Sequence, residues 1–198
     1  MTLDQFRPQM KVYFAPFVSI AMRCGLTPNF FTIAAFLASA AAGILFYLKL
    51  EILAILAVAI NAVCDALDGA VAREMKIQSV RGDFLDHAVD RYADIFIITG
   101  IFAGGLVPWQ IGVFALTGVL MASYLGTQAQ AVGVGRYYGG ILGRADRLLL
   151  ILVVGIIDLL LPVGLYGLTW LGWLLVLFGI FGHFTAFQRF AFVWRKME

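Results

Sequence analysis

The chain has 198 residues, of which 62% are apolar and only 13% are charged, and its mean hydropathy is +0.93. A soluble domain is roughly 45–50% apolar and about 25% charged, so this composition excludes a water-soluble globular protein and indicates a membrane protein. The net charge of +2 is too small to indicate a nucleic-acid partner. The two cysteines, Cys24 and Cys64, provide no disulfide framework.

The N-terminal 25 residues predict an amphipathic helix that lies in the membrane interface. Their apolar residues, among them Phe14, Phe17 and Ala21, recur at helical spacing, while Arg7 and Lys11 lie off that face. Gly25 is the predicted end of this helix. We therefore expect two units, an interfacial helix over residues 1–25 and a transmembrane domain over residues 26–198.

Six apolar runs predict six transmembrane helices, because a helix needs about 20 apolar residues to cross a bilayer. The runs cover residues 30–48, 52–72, 84–102, 107–131, 148–161 and 165–187, and the start of the fifth is poorly defined. None shows the alternating pattern of a barrel strand, and only helices otherwise satisfy their own backbone in hydrocarbon. The predicted fold class is an all-α integral membrane protein with six transmembrane helices behind the interfacial helix.

The basic residues predict the orientation of these helices. If the chain starts in the cytoplasm, twelve of the 14 lysines and arginines fall on the cytoplasmic side. We therefore expect a multi-pass protein of the cell membrane with both termini in the cytoplasm.

Four aspartates in the second and third runs predict a functional site, because ionisable residues inside a membrane helix are costly. Asp65 and Asp68 are three residues apart, and Asp86 and Asp90 are four apart, so each pair shares one helix face. The two helices are antiparallel and joined by a short link, which places all four carboxylates at matching depths. Two divalent cations, such as Mg²⁺ or Mn²⁺, would balance their charge.

Other interpretations of the acids stay open from spacing alone. One is a proton relay, and another is ion pairing with the nearby arginines Arg73, Arg81 and Arg91. Asp94 extends the stripe one turn deeper, where it is expected to orient a ligand or to pair with a polar group of another helix. His87 lies about 100° around the helix from Asp86, and we expect it to be a packing residue.

The residues after Asp68 suit a ligand that carries phosphate. Gly69 costs a helix about 1 kcal/mol relative to alanine, which indicates that a flat ligand approaches the backbone there. Ala72 is small for the same purpose or for helix packing. Arg73 suits a phosphate by its planar fork, or is a plain positive-inside arginine. Ser79 donates a hydrogen bond to a phosphate or is a solvated loop serine, and Gly82 opens the third helix.

The run Asp65-Ala-Leu-Asp68-Gly69-Ala-Val-Ala72-Arg73, followed by Gly82, Asp86 and Asp90, resembles the signature of the CDP-alcohol phosphotransferase family. The resemblance implies transfer of a substituted phosphoryl group from a CDP-linked lipid to a small polar alcohol in phospholipid biosynthesis, with release of CMP. It implies that Asp65, Asp68 and Asp86 hold two divalent cations, Mg²⁺ or Mn²⁺, and that Asp90 completes the second site and serves as the base. It also implies a homodimer.

The resemblance also implies binding residues for donor and acceptor. The donor residues are Pro28, Asn29, Asp65, Gly69, Ala72, Arg73, Ser79 and Gly82. The segment 137–147 is similar to the acceptor-phosphate segment of the family's inositol-phosphate branch, which implies an acceptor site at Arg136, Arg144 and Arg147. That branch carries two basic residues in the fourth run, where residues 123–128 have none, so glycerol 3-phosphate or an uncharged alcohol remains an alternative acceptor.

A cation-coupled or proton-coupled transporter is the alternative from another class. It predicts acids that reach both membrane faces. Here the acids cluster in the inner half, and only Asp158 lies elsewhere within the runs, which favours an enzyme.

Overall fold

The computed structural model describes residues 7–135, 137 and 139–197, and their regular secondary structure is helical. Seven helices follow one another: α1 (Arg7–Arg23), α2 (Pro28–Tyr47), α3 (Glu51–Glu74), α4 (Val80–Ala103), α5 (Trp109–Ala131), α6 (Arg144–Leu160) and α7 (Trp170–Lys196). Within these residues the only β-type pairing is one isolated bridge between Leu165 and Leu168. The predicted all-α class is confirmed.

Four helices, α2, α3, α5 and α7, are long and apolar enough to cross a membrane by length and composition. α4 has 24 residues, like α3, but its charged residues lower its hydropathy. α6 has 17 residues, which at a rise of 1.5 Å each gives about 25 Å, slightly short of the hydrocarbon core. The chain is therefore a multi-pass membrane protein, and the count of six crossings stays a prediction.

The helix bounds differ from the predicted runs at α4, α6 and α7, and α4 begins at Val80, four residues before the predicted run. α6 begins at Arg144, one turn before the predicted run. A helix throughout 165–187 is wrong, because residues 165–168 form a tight turn in which Tyr166 and Gly167 have φ of 52° and 77°. α7 begins only at Trp170 and continues to Lys196. The apolar pattern did not predict this turn, because its residues are as apolar as those of a membrane helix.

α1 ends at Arg23, and Gly25 follows with φ of 68°, which agrees with the predicted helix end. Val18 and Ala21 are buried in a small cluster that α2 and α3 complete. Phe17, predicted on the same apolar face as Ala21, is instead 58% exposed, so the face that packs on the bundle is narrower than the apolar stripe. Residues 1–6 of the predicted helix lie outside the described residues, and placement in the interface stays a prediction.

α2 packs against both α3 and α4, and α5 packs against α7. The contact of α2 with α4 is unusually close, because a Cβ on Gly43 would lie 2.5 Å from the carbonyl oxygen of Phe96 and one on Gly100 would collide with the backbone of Gly43. Such small residues let membrane helices approach backbone to backbone. Phe46 of α2 and Phe178 of α7 belong to one buried cluster, so the helices form a single bundle.

At the end remote from the acidic motif, Asp158 of α6 caps α7. Its carboxylate is buried, with the residue 5% exposed, and accepts a hydrogen bond of 2.6 Å from the N–H of Trp170 and another from Leu171. The hydroxyl of Thr169 accepts from the N–H of Gly172 at 3.0 Å. These oxygens satisfy N–H groups that a helix start leaves unpaired. Asp158 is therefore explained as a helix cap.

At the opposite end, which we call the site end, α7 holds the loop between α5 and α6. Arg189 donates from Nε to the carbonyl of Gly139 at 2.7 Å and from Nη1 to the carbonyl of Ala122 at 2.6 Å. Tyr137 stacks on Phe192 with ring centroids 3.9 Å apart. We refer to Arg189 and Phe192 as the α7 clasp. It fixes the segment that leads into the first turn of α6.

We expect Asp158→Ala to lower the free energy of unfolding by about 1–2 kcal/mol, because two N–H groups at the start of α7 lose their acceptor. Asp158→Asn keeps an oxygen acceptor and should be milder. Denaturant unfolding of the protein in detergent micelles, followed by circular dichroism, measures both. Equal stability of Asp158→Ala and wild type would contradict the cap.

Removing the clasp arginine is expected to loosen the loop without disturbing the bundle. In Arg189→Met the amides of residues 139–143 should exchange roughly tenfold faster than in wild type, because the loop loses the contact between Arg189 and the carbonyl of Gly139. Hydrogen–deuterium exchange read by mass spectrometry measures this, with α3 and α4 as internal references. Arg195→Met, an exposed arginine on the same helix, is the control and should exchange as wild type does; loop exchange in Arg189→Met that matches this control contradicts the clasp.

Candidate active site

α3 and α4 bring the four aspartates of the motif together at the site end. Asp65, Asp68 and Asp86 each offer one carboxylate oxygen, and these three oxygens lie within 4.8 Å of one another. Asp68 is buried and the other two are half-buried. The three-residue spacing on α3 places Asp65 and Asp68 on one face, so the convergence predicted from the sequence is present in the fold.

A second group shares Asp86 with the first. Asp86, His87 and Asp90 also offer ligand atoms within 4.8 Å of one another. His87, expected to be a packing residue, thus has a ring nitrogen at the site, and its Nε2 lies 3.3 Å from Asp83 Oδ1. Spacing alone missed this because a ring that starts about 100° away from Asp86 still reaches the same region by its length.

Two arginines in the first turn of α6 enter the acidic cluster. Arg144 Nη1 contacts Asp65 Oδ1 and lies 2.5 Å from Asp90 Oδ1, so it joins α3 to α4. Arg147 Nη2 donates to Asp94 Oδ2 at 2.9 Å, and both side chains are buried. The expected pairing of Asp94 with a polar group of another helix is therefore present. Both arginines stand on one face of α6, three residues apart.

The arginines of the described residues ion-pair with three carboxylates of the cluster. Arg91 Nη2 lies 3.4 Å from Asp90 Oδ2, so Asp65, Asp90 and Asp94 all have a guanidinium within 4 Å. Among the described residues, neither Asp68 nor Asp86 has one. Ion pairing therefore accounts for only part of the cluster.

Thr32 of α2 contacts the cluster and was not singled out from the sequence. Its hydroxyl lies 3.1 Å from Asp68 Oδ2 and 3.2 Å from the carbonyl of Pro28, and it can donate to either. A hydroxyl one turn into a helix gives no local signal, because threonine is common there without any partner. The contact places the first turn of α2, with Pro28 and Asn29, beside Asp68; Asn29 is exposed.

Gly69 and Arg73 lie together on α3. A Cβ on Gly69 would be 3.1 Å from Nη1 of Arg73, so the guanidinium lies over the bare backbone of the glycine. Ala72 is half-buried beside them. The arrangement leaves the backbone next to Asp68 open to a ligand that displaces the exposed Arg73 side chain.

Ser79 and Gly82 form the start of α4. The Ser79 hydroxyl accepts a hydrogen bond of 3.0 Å from the N–H of Gly82, which makes Ser79 the N-cap of the helix that carries Asp86 and Asp90. Its hydroxyl hydrogen is still available to a ligand. Of the predicted acceptor residues, Arg136 lies outside the described residues.

The donor set suits a hard divalent cation. Carboxylate oxygens are the ligands that Mg²⁺ and Mn²⁺ prefer, and they come from two helices fixed by the bundle. Asp68 and Asp86, the two without an arginine, belong to the same group of three. A cation would thus be held at the two carboxylates that, among the described residues, have no guanidinium within 4 Å.

Comparisons with known proteins identify the family. The family model described as CDP-alcohol phosphatidyltransferase matches residues 25–181. The archaetidylinositol phosphate synthase of Pyrococcus horikoshii is 35% identical over 164 residues, which are 83% of this chain and 87% of that protein.

Solved structures agree. The crystal structure of Mycobacterium tuberculosis phosphatidylinositol phosphate synthase with CDP-DAG bound has a TM-score of 0.76 and 26% identity, and the match covers 90% of this chain and 92% of that chain. The same enzyme in complex with manganese and citrate has a TM-score of 0.76 and 26% identity, with 90% and 88% covered. The family predicted from the motif is thereby confirmed: the chain belongs to the CDP-alcohol phosphatidyltransferase family and is a transferase.

Proposed function

We propose that this protein transfers a phosphatidyl-type group from a CDP-linked lipid to the hydroxyl of a small polar alcohol and releases CMP, as a step of phospholipid biosynthesis. The observation that carries the proposal is the convergence of Asp65, Asp68 and Asp86, with ligand oxygens within 4.8 Å of one another. Family membership supports the reaction class.

Two divalent cations, Mg²⁺ or Mn²⁺, fit the cluster. Asp65, Asp68 and Asp86 would hold them, with Asp90 completing the second site. Among the described residues, Asp68 and Asp86 have no arginine within 4 Å, which supports this assignment. The crystal structure of the Mycobacterium tuberculosis enzyme in complex with manganese and citrate supports it as well. Such cations, when bound, neutralise the donor's pyrophosphate and stabilise CMP as a leaving group.

Asp90 is the residue that we assign as the base. It accepts the proton of the acceptor hydroxyl while that oxygen forms its bond to phosphorus, and the bond from phosphorus to the CMP oxygen breaks with its electron pair on CMP. Asp90 is 8% exposed, so little water competes for it. Arg91 and Arg144 contact one oxygen each and fix the carboxylate.

The donor nucleotide is assigned to the surface around Asp68. Gly69 lets the nucleotide approach the α3 backbone, and Arg73 is positioned to pair with its pyrophosphate. Ser79 has a hydroxyl hydrogen to donate. The proposed donor-binding residues are Pro28, Asn29, Asp65, Gly69, Ala72, Arg73, Ser79 and Gly82.

An anionic acceptor fits the face of α6. Arg147 is buried and Arg144 is half-buried, and their Nε atoms have no hydrogen-bond partner among the described residues, so they retain donors for a phosphate. The relatives named as inositol phosphate lipid synthases support inositol phosphate as the acceptor. Glycerol 3-phosphate presents the same anionic group and is the alternative, and Arg136 is proposed as a further contact.

The cap at Asp158 bears on the transporter alternative. A transport path needs acids that lead from one face to the other. Asp158, at the remote end of α6, accepts hydrogen bonds from the first N–H groups of α7 and is thus occupied as a helix cap. This supports an enzyme over a transporter.

The proposed placement is a homodimer in the cell membrane with six crossings and both termini in the cytoplasm. The site end carries α1, the first turn of α6 and the last turn of α7, where the basic residues gather. Residues 1–25 would lie in the interface and residues 26–198 would form the transmembrane domain. A lipid donor then keeps its tails in hydrocarbon while its headgroup meets an acceptor from the cytoplasm.

Asp90→Asn is expected to reduce CMP release by roughly 10²–10⁴-fold, because the amide cannot take the acceptor proton. CMP is measured with the purified protein, Mg²⁺ or Mn²⁺, a panel of alcohols, and CDP-diacylglycerol or its archaeal ether-lipid analogue. Glu74→Gln removes an exposed carboxylate at the end of α3 and should retain activity. The proposal fails if no alcohol supports CMP release that Asp90→Asn abolishes.

Phosphorylated acceptors should be preferred by at least about 100-fold in kcat/KM over their unphosphorylated forms, because buried guanidinium donors stay unpaired without the phosphate. Inositol 1-phosphate is compared with inositol, and glycerol 3-phosphate with glycerol. Arg147→Lys keeps the charge opposite Asp94 and should raise KM for the acceptor about tenfold while KM for the donor is unchanged. Equal use of uncharged alcohols would contradict the anionic site.

A further inference from the structure

Arg144 uses only one of its three guanidinium nitrogens. Nη1 contacts the Oδ1 atoms of Asp65 and Asp90, whereas Nε and Nη2 have no hydrogen-bond partner within the described part of the chain. The side chain is 12% exposed, so water does not fully serve these donors. Buried guanidinium nitrogens without a partner are costly, so a ligand that accepts hydrogen bonds from them would favour a different position of the Arg144 side chain.

The two carboxylates that Arg144 contacts belong to different groups of potential metal ligands. Asp65 belongs to the group with Asp68 and Asp86, and Asp90 belongs to the group with Asp86 and His87. One nitrogen therefore touches one carboxylate of each group. A divalent cation bound by Asp65 or Asp90 would share that carboxylate with the guanidinium of Arg144. Two positive charges on one carboxylate lie only a few bond lengths apart and repel each other.

Release of Arg144 from the cluster would require movement of its side chain and not of the backbone. It is the first residue of α6, and the α7 clasp holds the backbone that precedes it. Its neighbour Arg147 remains on Asp94 one turn further along the helix. A displaced Arg144 would thus stay beside a second guanidinium, and a planar pair of this kind suits a phosphate.

We propose that Arg144 competes with the second divalent cation for Asp65 and Asp90, and that filling the second site releases its guanidinium to an anionic acceptor. The inference rests on the proposed function. It makes cation and acceptor binding cooperative: the cation frees the arginine, and by reciprocity an anion that holds Arg144 tightens the second cation site. Arg144 is thus a competitor of the second cation and a ligand of the acceptor.

The first experiment measures cation binding. Mn²⁺ is titrated into the full-length protein in detergent micelles at fixed pH and ionic strength, and electron paramagnetic resonance reports free Mn²⁺. Arg144→Gln should bind the second Mn²⁺ at least tenfold more tightly than wild type. Arg81→Gln removes the same charge from an exposed side chain in the first turn of α4 and should change the affinity less than threefold. Equal gains in the two variants would overturn the competition, because general electrostatics would then explain both.

The main arm of a second measurement uses the wild-type protein. Sulfate, a tetrahedral dianion that binds Mn²⁺ weakly, is added to the wild-type titration with chloride at matched ionic strength as the control. Sulfate should tighten the second Mn²⁺ site several-fold, and this gain should be absent in Arg144→Gln. An unchanged second-site affinity in wild type overturns the release of Arg144.

The result separates this inference from the function on which it rests. If wild type binds no Mn²⁺ that Asp65→Ala removes, the two-cation function is wrong and the inference falls with it. If wild type and Arg144→Gln each bind two Mn²⁺, and the affinity of the second site is the same in both proteins, the function stands and only the competition is overturned.

Discussion

Burial of carboxylates in an apolar bundle is the constraint around which this structure is organised. Asp68, Asp90 and Asp94 are each less than one-tenth exposed. A buried ion without compensation costs several kcal/mol, so the helices around α3 and α4 must bring groups that offset the charge. α6 brings two arginines and α2 brings a hydroxyl. The position of α6 against α3 is therefore an electrostatic requirement as much as a packing one.

The compensation changes with depth along α4. The deepest acid, Asp94, has a dedicated partner in Arg147 at 2.9 Å. One turn nearer the site end, Asp90 has two arginines that reach it from different helices. One turn further out, Asp86 has no arginine within 4 Å among the described residues. Along α4, the number of close arginines thus falls towards the site end. The buried Asp94 forms a structural ion pair, whereas the carboxylates nearest the site end are available to hold a ligand.

Local spacing predicted the part of the site that lies on α3 and α4, because residues three or four apart on one helix share a face whatever surrounds them. The partners supplied by other helices could not be predicted in this way. Thr32 meets Asp68, and Asp158 meets the start of α7, across distances in sequence that no periodicity relates. Arg189 looked like any positive-inside arginine, since its role depends on two carbonyl groups placed by the tertiary fold.

The same constraint explains why α3 is apolar enough by composition to cross a membrane and α4 is less so, although both have 24 residues. α4 is divided along its length, with its acids in the first part and apolar residues such as Ile97 and Ile101 in the second. Its apolar part is held by backbone contact with α2 at Gly43 and Gly100, where dispersion acts at the shortest range. Close packing at one end therefore anchors a helix whose other end carries charge, and without that contact the acids would have no fixed frame in which to meet those of α3.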